Sequence, residues 1–177
     1  MDSRWSAVVA FLMISGFFAL LSPCDAPAAG GYSVIIQEQR IPLSESGQTN
    51  GKWDARDLSI EYTYFAGGGR LTLGGAVKFA DSISYNYDRL PSFYAEVIFG
   101  DAQGRVIGSS ALMTARQGGS ERWEPIRFSR RIPLPPGTVC FAFSYRGEVV
   151  EAKGGRGGGN PTSIWLYPVT KAAPGQR

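Results

Sequence analysis

The chain of 177 residues contains no histidine. That absence excludes Ser-His-Asp and Cys-His nucleophile systems, histidine-ligated zinc and the imidazole pH switch. Cysteine is scarce, with Cys24 and Cys140 the two present. Charge is thin at 19% of residues, and the 18 basic side chains include one adjacent pair, Arg130-Arg131. Such dispersion lacks the clustered basic footprint of a nucleic-acid binder. Beyond residue 28 no window of a dozen residues shows helical periodicity. What remains is 44% hydrophobic with 23 glycines and 11 prolines, the composition of a folded, turn-rich domain.

The first 28 residues differ from the rest. A short start with Arg4 leads into an uncharged apolar run from Trp5 to Leu21, followed by Ala26-Pro27-Ala28. That order of n-region, h-region and small-residue site is the pattern of a secretory signal peptide cut after Ala28. Two other readings stay open. Leu21-Ser22-Pro23-Cys24 resembles a bacterial lipobox, in which Cys24 is the lipidated residue. An uncleaved anchor is the third reading, because the apolar run reaches the lower length limit of a spanning helix. All three export the folded part to the periplasm or beyond, and the membrane is touched only through this segment. Cleavage removes Cys24 and leaves Cys140 with no partner for an internal disulfide. Cys140 sits among apolar neighbours and reads as a small buried hydrophobe.

Period-two alternation dominates the rest of the chain. Leu58, Ile60, Tyr62 and Tyr64 alternate with polar residues. Leu71, Leu73, Val77 and Phe79 continue past Gly74-Gly75, where a bulge or a close backbone approach is expected. Phe93, Ala95, Val97 and Phe99 share a face, and Asp101-Ala102-Gln103-Gly104 turns the chain toward Val106. Trp123 to Phe128 and Ile164 to Val169 are shorter candidates. The strongest pattern places Val139, Phe141, Phe143 and Tyr145 against Cys140, Ala142 and Ser144. Bulky residues on one face and small ones on the other describe a central strand between two layers. Seven to nine short strands predict an all-β chain, a single antiparallel β-sandwich, immunoglobulin-like or jelly-roll-like. The expected division is a signal or anchor at 1–28, an edge strand and polar loop at 29–56, the sandwich at 57–170 and a flexible tail at 171–177.

Three segments resemble the FxLYD-like β-sandwich domains of exported bacterial proteins and lipoproteins. They are Leu73-Gly74-Gly75-Ala76-Val77, Val97 through Val106 with its acidic turn, and Leu134-Pro135-Pro136-Gly137-Thr138. The resemblance covers residues 71–146, with Gly100 where the family carries tyrosine. It implies an immunoglobulin-like sandwich and no catalytic residues.

No motif calls for catalysis, a cofactor or a metal. Gly154 to Asn160 lacks the Gly-Lys-Ser/Thr ending of a phosphate loop and reads as a hairpin loop. Asp81, Asp88, Glu96 and Asp101 suggest no facing pair of the kind a glycosidase needs. Asp81, Asn86 and Asp88 match no EF-hand spacing. The expected function is therefore non-catalytic: a structural or protein-interaction domain that offers a sheet edge to a partner strand. Carbohydrate binding through exposed aromatic rings is the alternative. Trp53, in the polar Asn50-Gly51-Lys52-Trp53-Asp54, is its best-exposed candidate, with Tyr85 and Tyr87 as a second group. Trp123 and Trp165 read as core or edge packing.

Overall fold

A computed structural model gives the fold and describes residues 33–44, 47–118, 123–151 and 159–171. The expected signal segment with Cys24, the run Gly154 to Gly158 and the tail beyond Lys171 lie outside the described residues. The elements are β1 (Ser33–Ile35), β2 (Ile41–Pro42), β3 (Gln48–Asp54), β4 (Leu58–Gly67), β5 (Arg70–Phe79), a short helix α1 (Asp81–Asn86), β6 (Tyr87–Gly100), β7 (Val106–Gly118), β8 (Ile126–Pro133), β9 (Cys140–Glu151), β10 (Pro161–Leu166) and β11 (Val169–Lys171). All sheet pairings are antiparallel. One sheet runs β3-β4-β5-β8 and the other β10-β9-β6-β7, with β2 against the start of β9. A separate two-stranded ribbon joins β1 to β11.

The alternation in β9 sets the layering. Phe141, Phe143 and Tyr145 point inward and meet Trp53, Tyr62 and Tyr64 from the opposite sheet. Trp53 lies edge-on to Phe143 at 5.6 Å, and Tyr64 edge-on to Phe141 at 5.4 Å. Each such pair adds about 0.5–1.5 kcal/mol beyond the area it buries. Leu58, Ile60, Leu71, Leu73, Val77, Phe93, Val97 and Leu112 complete the core between the two sheets. The polar tips of two core tyrosines find partners, as buried hydroxyls must. Tyr64 Oη donates to the Pro42 carbonyl at 2.7 Å and accepts from the Ser44 amide at 3.0 Å. Tyr145 Oη donates to Asp57 Oδ2 at 2.9 Å, and Arg56 Nε donates to the other carboxylate oxygen at 2.9 Å.

One rung of the β3-β4-β5-β8 sheet reads Gly51, Tyr62, Gly75, Phe128. Large and small residues alternate across it. A Cβ at Gly51 would meet the Tyr62 ring, and one at Gly75 would strike the Glu61 carbonyl and the Phe128 ring. The β4-β5 register is continuous through Gly74 and Gly75, so the glycines serve close approach and form no bulge.

Cys140, Ala142 and Ile98 face outward on the other sheet. The β1-β11 ribbon covers them there with Ile35 and Val169. The buried setting of Cys140 agrees with its apolar surroundings in the sequence. The sequence boundaries need four corrections. Lys171, expected in the flexible tail, is the last residue of β11 and pairs with Ser33. Gln48 to Asn50, expected as loop, begin β3, so the packed sheets start well before residue 57. Gln48, Asn50, Lys52 and Asp54 are the exposed outer face of an edge strand, and that face reads as loop. Trp123 precedes β8, which starts at Ile126. Ile164 to Val169 is divided by Tyr167 and Pro168 into β10 and β11, which join different sheets.

Gly75→Ala should lower stability by about 1–3 kcal/mol through overpacking, read from the denaturant midpoint. Burial, followed by the Asp57 carboxylate, pushes the Tyr145 phenol above its ordinary range. The folded chain therefore keeps this proton where the unfolded chain releases it. Its stabilising effect is complete below about pH 10 and declines as pH rises beyond that point. Tyr145→Phe should cost about 1–3 kcal/mol at neutral pH and flatten the alkaline decline, both measured by urea unfolding across pH.

Candidate functional site

The outer face of the β10-β9-β6-β7 sheet is divided between two environments. One half lies under the ribbon. The other half is an open cleft of about 1200 Å³. Strand alternation decides what lines it. Ile164 and Leu166 pack toward the core, so Trp165 between them must point out. The same parity turns Tyr94 and Glu96 of β6 outward, with Ser144, Arg146 and Glu148 of β9.

The register aligns four of these side chains across the sheet. Trp165 pairs with Arg146, Arg146 with Tyr94, and Tyr94 with Thr114. Trp165 is 62% exposed, and Tyr167, in the link to β11, is 52% exposed. The Arg146 guanidinium carbon stands over the Tyr94 ring, 5.0 Å from its centroid. This cation–π contact holds the guanidinium against the sheet. Tyr94 Oη donates a long hydrogen bond to Glu96 Oε2 at 3.4 Å. Burial and the Glu96 carboxylate raise the Tyr94 phenol, while Arg146 opposes them. Ser144 Oγ donates to the Leu166 carbonyl at 3.1 Å and fixes the end of β10 against β9. Ser92, Ser163 and Arg116 add to the polar part of the lining.

The aromatic residues singled out from sequence do not form one surface. Trp53 is 5% exposed and lies in the core against Phe143 and Tyr145, which corrects its reading as a surface ring. Its polar neighbours face out from β3 while it faces in, and its Nε1 has no partner among the described residues. Tyr85 is 84% exposed at the end of α1. Tyr87 is half-buried against the core, and its carbonyl accepts the Trp123 indole N–H at 2.8 Å. Trp123 also packs edge-on to Phe79, as a packing residue should. Trp165, expected to pack, is the residue that sequence reasoning missed. The signal was its place between Ile164 and Leu166.

The four acids are dispersed. Asp81 is exposed on α1 and Asp88 pairs with Arg89 at 3.5 Å. Glu96 lines the cleft. Asp101 accepts the Gln103 and Arg105 amides in the β6-β7 turn, where Gly104 has φ +78°. Asn86 Nδ2 donates to the Ser82 carbonyl at 2.7 Å, within the α1 segment. Among the described residues no group of three or more acidic or cysteine side chains is placed to hold a metal. No helix among them is long and apolar enough to cross a membrane. No family model, curated protein or solved structure matches this chain.

Proposed function

We propose that this chain is an exported, non-catalytic binding protein that takes a carbohydrate on the open half of the β10-β9-β6-β7 sheet. The observation that carries the reading is the rung Trp165-Arg146-Tyr94-Thr114, with the Trp165 ring free in a cleft lined about equally by polar and apolar groups. A flat aromatic ring stacks on the C–H face of a pyranose, and flanking hydroxyl and guanidinium groups meet the sugar hydroxyls. Trp165 and Tyr94 are two strands apart, roughly 10 Å, about the length of a disaccharide. Export rests on the N-terminal segment and its small-residue site.

The absence of catalysis rests on the acids. Glu96 and Glu148 both line the cleft. Glu148 lies four residues beyond Ser144, the partner of Glu96, so their backbones are separated by roughly 14 Å. Side chains that leave one sheet face side by side keep their carboxyl groups near that backbone separation, beyond the about 5–9.5 Å of a glycosidase pair.

Strand order supports an immunoglobulin-like form of the sandwich. β5 and β6 follow each other in opposite sheets, and they pair with β8 and β9, which also follow each other in opposite sheets. Same-sheet hairpins β3-β4-β5, β6-β7 and β9-β10 favour this form over a jelly-roll-like one. The FxLYD-like segments support the same form. One observation favours a second reading, partner-strand addition at the β7 edge. From Val106 to Ala115 that edge strand carries no charged residue of its own, although Arg130 Nε of β8 donates to the Leu112 carbonyl at 2.9 Å and occupies the middle of the edge.

Trp165→Ala should weaken glycan binding about tenfold or more, read by tryptophan quenching and calorimetry, with stability changed by less than about 0.5 kcal/mol. Trp53→Phe should do the reverse, lowering the unfolding midpoint and leaving affinity intact. Absence of binding across a broad glycan array would overturn the carbohydrate reading and leave the β7 edge.

A further inference from the structure

We infer that the carbohydrate taken by this face is acidic: a chain of uronic acids, with a pyranose stacked on Trp165 and a carboxylate held by Arg146. The inference rests on the carbohydrate reading of the same cleft. Its ground is the state of the Arg146 guanidinium. Contact with Tyr94 fixes its position, and Trp165 stands beside it in the same rung. Among the described residues the ion pairs lie elsewhere, at Lys52–Asp54, Arg56–Asp57 and Arg89–Asp88. The Arg146 guanidinium makes no hydrogen bond among those residues, so its N–H donors are unspent. A guanidinium with five donors in a planar fork matches a carboxylate in a bidentate way. Stacking restricts the side chain before binding, which reduces the entropy lost on capture.

The surrounding charges narrow the class further. Arg116 adds a second cation to the lining, with no ion pair among the described residues. Glu96 and Glu148 are on the same surface, and Glu96 accepts from Tyr94. Two acids near two bases disfavour a nucleic-acid duplex, whose two strands together set a phosphate in about every 1.7 Å of its length. A polyuronate carries a single carboxylate per sugar ring and can set one on Arg146 while keeping others away from the glutamates. Such a ligand also needs an apolar ring face, and Trp165 supplies its platform.

The test titrates the purified full chain with oligogalacturonate and oligomannuronate. Neutral galacto- and manno-oligosaccharides of equal length and polyglutamate are the comparisons. Tryptophan quenching and calorimetry at low salt give the affinities. At least one uronate should bind about tenfold or more tighter than its neutral counterpart, and Arg146→Gln should bring that ratio close to one. Arg146→Lys, which keeps the charge and loses the fork, should give an intermediate ratio. Unchanged unfolding midpoints would show that both variants fold. Neutral sugars binding as tightly as both uronates would overturn the acidic class and leave the carbohydrate reading standing. No binding of any sugar would overturn both. Polyglutamate binding as tightly as the uronates would also overturn the proposal, because charge alone would then explain the affinity.

Discussion

Six aromatic rings meeting between two sheets, most pairs edge-on and Tyr62 stacked on Tyr64, are the constraint on which this molecule depends. Phe141, Phe143 and Tyr145 come from one strand, and Trp53, Tyr62 and Tyr64 come from the two strands opposite. Rings of that size fit between sheets roughly 10 Å apart only where neighbours give way. Gly51 and Gly75 give way beside Tyr62 and Phe128. The hydroxyl ends add direction to the packing. Tyr64 reaches the β2 segment and Tyr145 reaches the β3-β4 turn, so each ring also locates a connection. Two aromatic residues at the rim of this cluster thus hold segments that have few hydrogen bonds of their own.

The inward commitment of β9 determines what its outward face can be. Cys140 and Ala142 are small enough to lie beneath the ribbon, whereas Ser144, Arg146 and Glu148 are polar and lie beyond it. The change occurs within a single strand, between residues 142 and 144. Everything distinctive about the cleft follows from that change. The sheet is rigid there because its other face is core, and a rigid floor holds side chains in register without loops.

Much of this was legible in the residues. The alternation in β9 marked a central strand, and the Asp101-to-Gly104 turn marked the β6-β7 hairpin. Trp53 was misread because four polar neighbours outweighed one inward ring, a natural outcome on an edge strand with a solvated outer face. Trp165 was misread for the opposite reason, since hydrophobicity alone suggests burial for tryptophan. The Trp165-Arg146-Tyr94-Thr114 rung could not be read at all. Its members come from four strands, and their alignment depends on pairing between strands distant in sequence. The Arg146–Tyr94 stack is likewise a product of register.

The ribbon of β1 and β11 has a mechanical meaning. Ser33 pairs with Lys171 and Ile35 with Val169, so the chain enters and leaves this ribbon side by side. Tension applied at those two residues would load the three pairs one after another, as a zipper is drawn, not all together in shear. The ribbon has three residue pairs of its own, and β1 is tied besides to the β6-β7 turn, where the Ile35 amide donates to the Gly104 carbonyl at 2.8 Å. Its opening would uncover Ile98, Ala142 and the Cys140 thiol while the aromatic core stayed closed. The fold thus sets a short outer seam over a long-paired interior, and the thiol lies directly beneath that seam.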